Sequence, residues 1–292
     1  MQRATTDVLE ISYETGGPRD GPPVFLLHGW PDDVRAWREV APALHAAGYR
    51  TIAPYLRGFG PTRFLSPQTV RDARGVALAQ DVIDLANYLE FKRFFVVGHD
   101  WGARVAYTLA ALFPERASRI VGIALAFQPR AEFTIPDFEQ SRRFWYQWLM
   151  SLDQGAEAVK RDPKGFARIQ WDTWSPPGWF DDAEFDATAR SFENPDWTVI
   201  TLHGYRARWL PEPVDARYAA LQSRLSTIET LGTPTLMIQG ASDFCDLPAE
   251  SANMERFFTG GYERVLLEGV GHFPMREAPG AVAKALLRHF SY

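Results

Sequence analysis

Asp100 lies between two glycines in Gly98-His99-Asp100-Trp101-Gly102. A carboxylate with a pKa of about 3.9 is already ionised at neutral pH. It needs no base to activate it. Held in line and desolvated, it can attack saturated carbon and become an ester. Two further groups could complete such a reaction. His272, in Gly269-Val270-Gly271-His272-Phe273, can deprotonate a water that attacks the ester carbonyl. An acid in Ser242-Asp243-Phe244-Cys245-Asp246 can orient its ring, and either Asp243 or Asp246 is a candidate. The competing reading of Asp100 is a helix N-cap, a role that Asp fills well. The competing reading of the paired acids is a turn.

These groups need strand ends to hold them. Residues 94–97 form an unbroken apolar run suited to a strand buried on both faces. From Gly102 onward the apolar residues recur at three and four, a helix closed by Pro114. Asp100 therefore sits on a tight strand-to-helix elbow. Further strands are expected at residues 8–13, 24–27, 50–53, 120–126, 233–238 and 264–267. Helices are expected from Asp33 to about 47, across 76–89 and from about 278 to 290. The alternation argues for an α/β fold with a parallel sheet between helices. Past Gln128 no buried strand is visible until about 229, so residues 129–228 read as a helical cap inserted into a core of 1–128 and 229–292.

The 292 residues are 46% hydrophobic and 23% charged, an ordinary balance for a chain with a large core. The net charge of −5 gives no reason to expect nucleic acid or an anionic membrane as a partner. The sequence has no apolar run of about 18 residues and no signal-peptide core, and it has a single cysteine. A cytoplasmic protein is expected. Seven of the ten tryptophans fall between residues 140 and 210, which suggests that this region covers an apolar pocket.

The ordered set of blocks resembles α/β-hydrolases of the epoxide hydrolase type. The resemblance rests on His28-Gly29-Trp30-Pro31, the Asp100 elbow and the His272 block, in the chain order nucleophile, acid, histidine. It implies an α/β-hydrolase fold in which the backbone N–H groups of Trp30 and Trp101 form an oxyanion hole and Asp243 is the acid. It also implies that Tyr146 and Tyr205, both in the cap, protonate the epoxide oxygen. From Asn194-Pro195 onward, Trp197, Thr201, Tyr205 and Trp209 fall four apart, on one helix face. The expected pocket wall is His28, Pro31, Trp145, Trp174, Trp197 and Phe273, around a small apolar or aromatic epoxide and water. No metal or organic cofactor is expected, and the sequence leaves monomer and homodimer open. The nearest rival is a haloalkane dehalogenase with the same nucleophile, although many of those carry Asn where this chain has Trp30. A rival of another class is a non-catalytic receptor for a small ligand on the same fold.

Overall fold

A computed structural model of the chain describes residues 1–291. Nine strands make one sheet: β1 (Gln2–Thr5), β2 (Leu9–Gly16), β3 (Pro23–Leu27), β4 (Arg50–Pro54), β5 (Arg63–Phe64), β6 (Phe94–His99), β7 (Ala117–Ile123), β8 (Thr235–Gly240) and β9 (Tyr262–Leu267). Their order is β1-β2-β4-β3-β6-β7-β8-β9, with β5 paired to β2. Pairing is parallel from β4 through β9, while β2 runs antiparallel to β1, β4 and β5. The central strands β3, β6 and β8 are almost wholly buried, which explains their continuous apolar runs. Helices Gly75–Tyr88, Trp101–Leu112 and Pro279–Phe290 cover the sheet.

The expected helix from Asp33 to about 47 is two elements. Asp33 caps a short 3-10 turn, Val34–Trp37, by accepting from the Arg35 N–H at 2.8 Å. A separate helix, Ala41–Ala46, follows. Pro42 lies in the first turn of that helix, where a missing N–H is tolerated, and so marks a new start. β7 ends at Ile123, short of the expected 126, because Ala124 takes a φ of +69° and turns the chain out of the sheet.

Between β7 and β8 the described residues form helices. The run from Phe138–Arg143 to Trp197–Arg206 packs mainly among its own members. Its Trp171 and Thr201 hydrogen-bond Pro31 and Trp30 in the loop after β3. Helix Ala219–Leu225 instead packs on Gly75–Tyr88 and Trp101–Leu112, and Arg224 donates to the Leu112 carbonyl at 2.6 Å. It lies beside the sheet layer although it falls within the 129–228 stretch.

Candidate active site

Asp100 sits on the turn between β6 and helix Trp101–Leu112, with φ +49° and ψ −112°, a conformation that L residues rarely adopt. The flanking glycines permit it. A Cβ on Gly98 would overlap the Gly102 carbonyl oxygen, and one on Gly102 would overlap that of Leu27. The Asp100 side chain makes no capping hydrogen bond to its own helix, so the N-cap reading fails. Instead it opens onto a cavity of about 330 Å³. Its Oδ1 accepts from the backbone N–H of Trp30 at 2.8 Å. Trp30 follows β3, the neighbour of β6 in the sheet, so two adjacent strand ends bring donor and acceptor together. Trp101 is the first residue of the elbow helix, and no hydrogen bond joins its N–H to Asp100 in the resting site.

The other two groups come from the ends of β8 and β9. His272 Nδ1 donates to Asp243 Oδ2 at 2.9 Å, with Oδ1 at 3.1 Å. Asp243 is itself fixed: Oδ1 accepts from the N–H groups of Cys245 and Asp246 at 2.8 and 3.0 Å, and Oδ2 from Gln239 Nε2 at 3.0 Å. Geometry thus favours Asp243 over Asp246, which lies on the cavity wall. His272 Nε2 has no hydrogen-bond partner and stands 3.9 Å from Asp100 Oδ2, too far for a direct bond. Burial alone would lower the His272 pKa, but the charges of Asp243, Asp100 and Asp246 outweigh it and raise it to about 9. Asp246 is itself pushed up to about 7 by burial and by the Asp243 charge.

Tyr146 and Tyr205 are buried, with ring centroids 5.3 Å apart. Tyr146 lines the cavity, and its hydroxyl accepts from Gln147 Nε2 at 3.1 Å. The Tyr205 hydroxyl has no partner among the described residues. Burial, then in Tyr205 the Asp100 charge, raises both phenols well above their usual pKa, so both remain protonated donors. Trp197, Thr201 and Tyr205 share the buried face of helix Trp197–Arg206 as the spacing predicts, and Thr201 accepts from the Trp30 indole N–H at 3.0 Å. Trp209 lies beyond the helix end, on the cavity wall.

The expected pocket wall needs correction. None of His28, Pro31, Trp145, Trp174, Trp197 and Phe273 lines the cavity. Trp145 is 37% exposed and packs on Phe166 from outside. The others are buried behind Asp100 and His272. Trp197 stacks on Trp30, Trp174 meets the His272 ring edge-on, and Trp171 holds the Pro31 carbonyl at 2.8 Å. Aromatic rings at helical spacing here satisfy one another as packing. His28 is a brace: its ring bonds the Gly29 carbonyl at 2.9 Å and accepts from the Leu56 N–H at 3.1 Å. The cavity wall is mixed: Arg104, Gln140, Gln147, Arg208 and Asp246 lie on it beside Leu125, Phe127, Phe133, Phe144 and Met254. Two supporting residues were missed in the sequence. His99 holds the His272 carbonyl at 2.7 Å, and Glu277 accepts from the Gly271 and Phe273 N–H groups at 2.7 and 2.9 Å. Neither carries a local signal, since their partners are distant or backbone.

Residues 22–279 match the family described as alpha/beta hydrolase fold. The chain belongs to the α/β-hydrolase fold family. Among other members, this hydrolase is 36% identical to an epoxide hydrolase of Caballeronia sordidicola, over 92% of this chain and 87% of that protein. It is 35% identical to epoxide hydrolase B of Mycobacterium tuberculosis over 51% of this chain and only 45% of that protein, so that match spans less than half of the relative. A solved structure from Klebsiella pneumoniae, described there as a candidate epoxide hydrolase, superposes with a TM-score of 0.94 at 38% identity, covering 100% of this chain and 97% of that one. No helix among the described residues is long and apolar enough to cross a membrane.

Proposed function

We propose that this hydrolase opens an epoxide to a vicinal diol through an ester on Asp100. The observation that carries the reading is the Asp100 carboxylate on the cavity wall, tethered at one oxygen by the Trp30 N–H while the other faces an unpartnered His272 Nε2. The names of the relatives support an epoxide as substrate.

In the first step Asp100 attacks an oxirane carbon, the carbon–oxygen bond breaks, and the leaving oxygen takes a proton from Tyr205 or Tyr146. An alkoxide is too basic to leave unaided, and two neutral phenols meet that need where a halide would need none. In the second step His272, having given its proton back to the phenolate, takes a proton from water as the hydroxide attacks the ester carbonyl. The tetrahedral intermediate then expels the diol oxygen, which takes that proton from His272. The Asp100 carboxyl returns its proton to His272 as the carboxylate is restored. The Trp30 N–H, joined by that of Trp101, stabilises the oxyanion. The steps are electrostatically linked. Esterification removes the Asp100 charge, which is one of the charges that hold His272 protonated. The first step therefore lowers the pKa of the base that the second step requires. Helices within 129–228 serve in this reading as the cap that carries both tyrosines and keeps bulk water from the ester.

His272→Gln tests this directly. Incubated with styrene oxide, the variant is expected to accumulate protein heavier by one substrate mass, with the adduct on the Asp100 peptide by mass spectrometry. Sustained diol production without an adduct would overturn the covalent route.

A further inference from the structure

Two arginines on the cavity wall have no part in the chemistry above. Arg104 stands one turn after Asp100 on helix Trp101–Leu112, and Arg208 lies just beyond helix Trp197–Arg206, three residues after Tyr205. Both reach the same aromatic ring. Their guanidinium carbons lie 4.9 and 5.1 Å from the centroid of Phe133, and that of Arg208 lies 4.4 Å from the centroid of Tyr205.

Neither cation is ion-paired among the described residues, although the charges of Asp100 and Asp246 on the same wall act on Arg104. Arg208 donates to the Gly204 carbonyl at 3.1 Å and to Gln147 Oε1 at 3.2 Å, both neutral acceptors. Arg104 Nε is buried without a partner, and neither guanidinium forms an ion pair among the described residues. The contrast within the same molecule is direct. Arg57 is paired with Asp81 at 2.6 Å, and Arg276 with Asp32 and Glu184 at 2.6 Å each. Two like charges on one ring, both only partly exposed, repel unless an anion joins them. Burial and the neighbouring Arg208 push Arg104 down to about 9, against the opposing charges of Asp100 and Asp246.

The acids on the same wall do not fill the role. Asp137 accepts from the Gln140 N–H at 2.9 Å and forms no ion pair with either arginine among the described residues. Glu250 is pushed up by burial and the Asp137 charge, and Asp246 is pushed up to about 7. Asp100 is the reacting group, and its charge disappears in the ester.

We propose that Arg104 and Arg208 clamp a carboxylate, and that the substrate is a small epoxide bearing one, held by the two guanidiniums while Asp100 attacks the oxirane. The planar guanidinium fork matches a carboxylate geometrically. The clamp gives the two cations of the mixed wall a purpose that an apolar substrate does not. It rests on the epoxide reading for the reaction, but not for the binding.

The test separates the two. A dihydroxy acid, the expected product type, and its isosteric primary carboxamide are titrated into the wild-type protein by calorimetry, which needs no turnover. The carboxylate is expected to bind roughly tenfold tighter or more. Arg208→Gln and Arg104→Gln should each shrink that preference, and Arg208→Lys should keep part of it. Equal binding of acid and amide, or a preference unchanged in both glutamine variants, would overturn the clamp. In parallel, wild-type protein is given the matching epoxy carboxylate, and diol formation is expected. A preserved acid preference with no diol from that epoxide would uphold the clamp and overturn the epoxide reading.

Discussion

A carboxylate can serve as a nucleophile only if its neighbours leave one oxygen accessible and keep a base in reach without spending it. Here one Asp100 oxygen is tied to Trp30, and the His272 ring is tied at Nδ1 alone. The proposed proton donors are held as firmly. Tyr205 rests against Trp30 and Trp101 at 5.1 and 5.5 Å, and Tyr146 stacks on Trp30 at 5.8 Å. Removing one phenol should slow ring opening by roughly 10²-fold and removing both by more, since a positioned acid contributes about that much. The measurement is the rate of ester formation in Tyr205→Phe, Tyr146→Phe and the double variant. If the double variant forms ester at the wild-type rate, neither tyrosine is the acid. At this scale the sequence was informative wherever a residue type carried its own chemistry, as with Asp100 and His272. It was silent on Arg208, whose meaning depends on Arg104 facing the same ring from another element.

The elbow is the element on which the site depends. Its turn forces Asp100 to a positive φ, and only the absence of side chains at Gly98 and Gly102 lets strand, helix and the neighbouring β3 backbone meet. Gly98→Ala places a methyl group against backbone that cannot move without shifting the helix. We expect a loss of roughly 3 kcal/mol or more, read as a lower denaturant midpoint, together with lost activity. A variant with wild-type stability would show that the turn is not strained. This element was legible because its glycines mark it locally. The break at Pro42 was legible in principle too, since proline favours a first helical turn. The end of β7 was not, because the positive φ of Ala124 is imposed by tertiary contacts and no residue type announces it. The tryptophans misled for a similar reason. Composition places seven of them between residues 140 and 210, but only packing decides whether a ring faces a cavity or another ring.

Across the whole molecule, stability sums many titrations of opposite sign. Burial holds His28 and His99 neutral, with pKa values of about 4 and 3. The unfolded chain therefore binds protons that the native state does not, and their contribution is lost as pH falls from about 6.5. Asp33 and Asp246, raised to about 7, act in the opposite sense over much of the same range: their contribution is lost as pH rises toward 7. The acid side is thus partly cancelled. The alkaline side has one large unopposed histidine term. His272, raised to about 9, contributes stability that is complete below about 6.5 and is lost as pH rises through 9. That is on the order of 3 kcal/mol. The wild-type melting temperature should fall between pH 7 and 9, and His272→Gln should flatten the fall. Parallel slopes in the two proteins would show that the Asp243 and Asp100 charges do not hold the imidazolium as argued.

The most direct measurement is one turnover in heavy-oxygen water with enzyme in excess over epoxide. If Asp100 supplies the oxygen that bonds to carbon, the first diol carries no label and the Asp100 carboxylate gains it as the ester is cleaved. Label in the first diol, with none in Asp100, would mean that water attacked the epoxide directly.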